Sequence, residues 1–148
     1  MNVLHLVAGE LTSGAARGAF WLHRGLRALD VDSQLYTNSQ ATYDDASVIT
    51  INRSKRDRVA NVARSQADSM LASFYSNRAS GLFSTGMFGV DFTGSEACRA
   101  ADVVHLHWIN GGFVNIRHLA RIDKPVVWTM RDMWPMTGGC HYSMGCDK

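Results

Sequence analysis

The sequence predicts an α/β domain built on a doubly wound parallel sheet, and three observations predict it. Strand and helix patterns alternate along the chain. The runs Asp102 to Trp108 and Pro125 to Met130 are almost continuously apolar, as strands covered on both faces are. The chain also opens with an apolar run, a glycine-containing loop and a helical pattern in immediate succession.

Each element has its own signal. Val3 to Ala8 is a short apolar strand ending at Gly9, and Gly14 to Leu29 repeats Ala16, Phe20, Leu22, Leu26 and Leu29 at helical spacing, with Thr12 or Ser13 able to cap it. Ser33 to Thr37 and Val48 to Ile51 read as strands around the polar loop Asn38 to Ser47. From Arg53 to Ser76, the residues Val59, Val62, Ala63, Gln66, Ala67, Met70, Leu71 and Phe74 fall on one helical face. The first turns of that helix carry Arg53, Lys55, Arg56 and Arg58, which fit either a solvated face or contact with anionic lipid headgroups. Asn77 to Gly94 lacks a period and reads as a long surface loop. Ser95 to Ala101 is a short helix, Asp102 to Trp108 a strand, Gly112 to Arg121 a helix and Pro125 to Met130 a further buried strand.

Composition bounds the function. At 148 residues the chain makes one domain, spanning 1–148, against a typical size of ~150. Apolar residues are 46% and charged residues 19%, a globular balance. A net charge of +2 is too small and too dispersed to indicate nucleic acid. Lysine occurs only at 55, 124 and 148, so arginine dominates the bases, and arginine suits fixed recognition of phosphate or carboxylate. No apolar run approaches the ~20 residues that span a bilayer, and the start lacks a basic leader, so the expected location is cytoplasmic. Three cysteines, with Cys98 far from Cys140 and Cys146, do not suggest a secreted disulfide framework.

Four polar clusters fall at the ends of predicted strands, where open α/β sheets bind ligands. Gly9 to Arg17 is rich in small residues that let amides approach a phosphate at a helix start, but it contains neither a dinucleotide fingerprint nor a P-loop. His105 to Gly112 places two histidines on one strand face. His107 suits either hydroxyl recognition or packing, and two imidazoles alone are too few for a zinc site. Arg131-Asp132 ends a strand with a cation and an acceptor that either meet a ligand or pair with each other, beside Trp134. Thr137 to Cys146 carries Cys140, His141 and Cys146, an incomplete metal set.

These residues carry a resemblance. Asn2-Val3-Leu4-His5-Leu6 with Ser13-Gly14-Ala15-Ala16-Arg17, Ala101 to Trp108, and above all Trp128-Thr129-Met130-Arg131-Asp132-Met133-Trp134-Pro135-Met136-Thr137-Gly138-Gly139-Cys140-His141-Tyr142 resemble the N-terminal half of family-4 (group 1) glycosyltransferases. The branch it looks most like makes bacterial surface polysaccharide. The resemblance implies one Rossmann-like half of a GT-B enzyme that transfers a sugar, with retention, from a nucleotide-diphosphate donor to a saccharide or lipid-linked acceptor. It implies no cofactor and no obligatory metal. It also implies a nucleotide-binding C-terminal half as partner beyond Lys148, of ~200 residues with a paired-glutamate segment, without which this half has little activity. Gly14 and Ala15 would face the donor phosphates. Arg131 and Asp132 would be catalytic, with Arg131 where the family commonly has a histidine. Arg17, His107, Trp108, Asn110, Gly138, Gly139 and His141 would bind substrate.

Two other classes stay open at this level. One is a stand-alone Rossmann-like binding module without catalysis; the other is a zinc or redox protein using Cys140, His141 and Cys146.

Overall fold

The computed structural model describes residues 1–40, 43–74 and 81–143. Five strands form one sheet: β1 (Asn2–Val7), β2 (Asp32–Thr37), β3 (Val48–Thr50), β4 (Val103–Leu106) and β5 (Val126–Trp128), in the order β3-β2-β1-β4-β5. Every pairing is parallel. The doubly wound α/β architecture is therefore present, and its strand order reverses at β1, between β2 and β4.

Alternation along β1 and β4 sends side chains to two separate cores. On one face Leu4, Leu6, Val104 and Leu106 meet Phe92, Phe113 and the short helix α3 (Glu96–Ala100), whose N-cap Ser95 accepts from the Cys98 amide. On the other, Val7 and Leu35 pack under Ala16 and Ala19 of helix α1 (Gly14–Ala28). Ser13 occupies the N-cap of α1, but its side chain makes no capping hydrogen bond.

Three expectations change. Helix α2 (Lys55–Ser73) is present, yet its apolar stripe faces outward, with Val59, Val62, Met70 and the following Phe74 exposed. Its inward side holds Asn61 and Asp68, because the neighbouring loops need hydrogen-bond partners there. Asp68 accepts from both the amide and the hydroxyl of Thr85, and Arg64 Nε donates to the Gly112 carbonyl at 3.3 Å. Periodicity marked a stripe but not which side would be covered. The helix expected over Gly112 to Arg121 shrinks to a 3-10 helix at Ile116–Arg121, since Gly111 and Gly112 adopt left-handed backbone at φ 66° and 73°. A Cβ at Gly112 would also lie 2.5 Å from the Ser65 amide nitrogen, so only glycine lets this turn approach α2. Finally, β5 is an edge strand whose Val126 and Val127 are half exposed, so its apolar run does not mean burial on both faces here.

One further element is not among those that apolar spacing marks. Helix α4 (Trp134–Thr137) is a single turn with proline in its first turn, closed by left-handed Gly138.

Candidate functional site

The carboxyl ends of β1, β4 and β5 converge. The Ala8 amide donates to the Trp108 carbonyl at 2.7 Å, so the segments leaving β1 and β4 run side by side at the point of strand reversal. A cleft of about 510 Å³ opens there, lined by Gly9, Glu10, Ser13 to Ala16, Trp108, Arg131, Asp132 and Tyr142. Gly9, at φ 101°, turns the chain into α1, and its amide is fixed by Asn38 Oδ1 at 2.8 Å. The first-turn amides of any helix lack intrahelical acceptors. With Ser13 not capping, those of Gly14, Ala15 and Ala16 give this wall a positive electrostatic end.

Charge in the cleft is sorted by partner. The Glu10 carboxylate accepts from the Gln40 amide at 2.8 Å and from the Ser39 hydroxyl. Asp132 is held by three donors. Its Oδ1 accepts from the Trp134 amide at 3.0 Å, while its Oδ2 accepts from Trp108 Nε1 at 2.9 Å and from His141 Nδ1. Because His141 Nδ1 carries the proton, its Nε2 accepts from the Ser84 hydroxyl at 2.9 Å. The order Ser84, His141, Asp132 matches that of a nucleophilic triad, but Ser84 is only 4% exposed, so no acyl group can reach its oxygen. The chain instead holds Asp132 and, through it, the Trp108 ring. Among the described residues Arg131 has no ion-pair partner, so it does not pair with Asp132. Its guanidinium lies across Gly18 of α1.

Beneath Arg131 the sheet carries buried imidazoles. His5 and His105 are register partners, and His5 Nδ1 meets His107 Nε2 at 3.1 Å. Burial first, then neighbouring histidines and, for His107, the Arg131 charge, push both His5 and His107 down to about 3. Burial and Arg131 also lower His105, whose Nε2 sits 2.7 Å from the Thr129 hydroxyl. All three rings are uncharged at neutral pH.

The expected site residues divide accordingly. Gly14, Ala15, Trp108, Arg131 and Asp132 line the cleft together. His107, Asn110, Gly139 and His141 are buried behind or beside it, Gly138 closes α4, and Arg17 is exposed with its guanidinium stacked on Trp21. Glu10 and Tyr142 belong to the wall although sequence reasoning did not single them out, and Ser13, read there only as a helix cap, belongs to it too; each lay inside a recognised motif. His5 was missed because only strand register brings it to His105. Cys146 lies outside the described residues, Cys140 is a free thiol, and His141 has both ring nitrogens engaged.

The fold and cleft together define a Rossmann-like α/β domain with an open crevice at its topological switch point, where such sheets bind ligands. Comparison with protein-family models, with curated proteins and with solved structures returns no match. No described helix is long and apolar enough to cross a membrane.

Proposed function

We propose that this chain is the acceptor-side half of a retaining glycosyltransferase of surface polysaccharide synthesis. One observation carries the reading: an arginine without an ion-pair partner among the described residues and the uncapped start of α1, the helix on which its guanidinium lies, line a single open cleft with an indole beside them. That combination suits a diphosphate joined to a sugar, since the amides and the guanidinium meet anionic oxygens while Trp108 offers a flat apolar surface to the pyranose. In the reaction the bond between anomeric carbon and diphosphate breaks, and the acceptor hydroxyl oxygen forms the new glycosidic bond on the same face while its proton passes to the departing diphosphate. Arg131 would stabilise the charge that develops on the departing phosphate. Asp132 acts here as a positioning residue, because its lone pairs already serve Trp108, Trp134 and His141.

A second crevice adjoins the first beyond Gly9 and Trp108 and presents Asn38, Gln40, Asn61 and Gln66, an amide-rich wall matched to sugar hydroxyls of an acceptor. The nucleotide would sit on a C-terminal half, the chain's own partner in this reading. A binding module without catalysis is the competing reading, and the outward apolar stripe of α2 favours it.

The test joins the chain to its C-terminal half and measures release of nucleoside diphosphate from a panel of donor sugars. The expected result is turnover with one donor, reduced about 100-fold by Arg131→Gln while the melting temperature holds. Absence of release with every donor, together with stable capture of a protein partner on α2, would favour the binding module.

A further inference from the structure

The sheet face beneath α1 carries a feature that the cleft does not use. Register sets His5 of β1 beside His105 of β4, and two-residue alternation returns His107 to the same face. The His105 and His107 rings stack with centroids 4.2 Å apart, and one ring nitrogen from each of the three residues lies within 4.8 Å of the others. Two neutral imidazoles joined by one N–H···N contact have a ring N–H and a lone pair left over. These fall on His5 Nε2 and His107 Nδ1, which are buried and unpartnered. The side chains themselves are 0% and 2% exposed, so water does not satisfy them at the surface. Such vacancies are costly in a sheet interior, where a valine would serve packing without them.

We propose that His5, His105 and His107 bind one late first-row divalent cation of the zinc type. Three imidazoles are a donor set that such ions favour, with metal–nitrogen bonds of about 2.0–2.1 Å. The facing nitrogens, His5 Nδ1 and His107 Nε2, are 3.1 Å apart, close to the spacing of two ligands on one ion. An ion held there leaves His5 Nε2 and His107 Nδ1 as the outer N–H groups, so their cost marks rings kept for more than packing and is not what the ion relieves. Thr129 steadies the third ring, as second-sphere hydroxyls do around metal-bound histidine, and the half-buried His105 marks the side from which an ion enters. A water molecule would complete four-coordination. The ion would bind under the floor of the cleft, away from reacting atoms, and its role would be to brace β1 against β4. This inference does not rest on the glycosyl-transfer reading. The Arg131 charge faces His105 and His107 and opposes the ion, so neutralising Arg131 should tighten binding.

The chelator-treated chain is titrated with Co²⁺ and with Zn²⁺. Expected are saturation at one equivalent, an intense visible d–d band of four-coordinate cobalt, and Zn²⁺-induced movement of the ring-proton NMR signals of His5, His105 and His107 alone among the six histidines. At a hundredfold excess over Kd, Zn²⁺ raises the melting temperature by about 5–10 °C. His105→Gln abolishes the band and the thermal shift, and Arg131→Gln strengthens the affinity. The assignment is overturned by the weak spectrum of aquated cobalt, by thiolate charge-transfer bands, by signals moving only at His118 or His141, or by an unaltered response in folded His105→Gln. If that variant does not fold, the wild-type NMR titration decides.

Discussion

The Arg131 guanidinium crosses α1 at Gly18, where a Cβ would come within 2.9 Å of Nη2 and 3.1 Å of Nη1. A glycine in mid-helix is ordinarily a cost of about 1 kcal/mol relative to alanine. Here it opens the path by which an arginine on the far end of β5 reaches the start of α1. Gly18→Ala is therefore expected to raise stability by up to about 1 kcal/mol, because the arginine tip can swing away. On the glycosyl-transfer reading it should also lower kcat/KM of the chain joined to a C-terminal half about tenfold by misplacing the charge. Thermal melts beside steady-state kinetics check this, and a stabilised variant with undiminished turnover would remove Arg131 from the reaction.

Stability of the metal-free chain should fall on acidification. His5 and His107 have folded pKa values near 3 against an ordinary 6.5, so the unfolded chain binds more protons throughout that interval. Their contribution is complete above pH 6.5 and declines as pH drops toward 3, by about 1.4 kcal/mol per pH unit for each ring. Urea midpoints across this range measure it. A flat profile from pH 7 to pH 5 would mean the rings already take protons in the folded state.

His141→Ala leaves the Asp132 carboxylate short of a donor in a partly buried site, and is expected to cost about 3 kcal/mol and to alter Trp108 fluorescence. Ser84→Ala, which removes only a neutral hydroxyl donor, should cost about 1 kcal/mol. A fluorophosphonate probe should not label Ser84. Labelling that depends on His141 would turn the positioning chain into a nucleophilic one.

The outward stripe of α2, with Arg53, Lys55, Arg56 and Arg58 around its start, predicts sedimentation with anionic but not zwitterionic vesicles at low salt. Reversing Arg53, Arg56 and Arg58 to glutamate should abolish it. Sedimentation with neither lipid would assign the stripe to a protein surface.

Local sequence carried most of the fold. The β1 strand, the α1 helix and the β4 strand all stand within a residue or two of where apolar spacing puts them, because their signals are propensity and periodicity. The motifs at the strand ends also located much of the cleft, since a parallel sheet brings the carboxyl ends of its strands to one rim. Trp108 and Arg131 share that rim for this reason. The sequence could not reveal that His141 lies behind Asp132, since this depends on how the turn after α4 packs against Phe83 and Ser84.

Alternation of strand and helix, the absence of a long apolar span and the small-residue turn into α1 are properties of neighbouring residues, and the chain declares them unaided. Which stripe of α2 is covered, which strand becomes the sheet edge and which histidines share a pocket depend on contacts between residues as far apart as His5 and His107. Burial and strand register are set by the whole sheet, so those answers exist only once it has assembled.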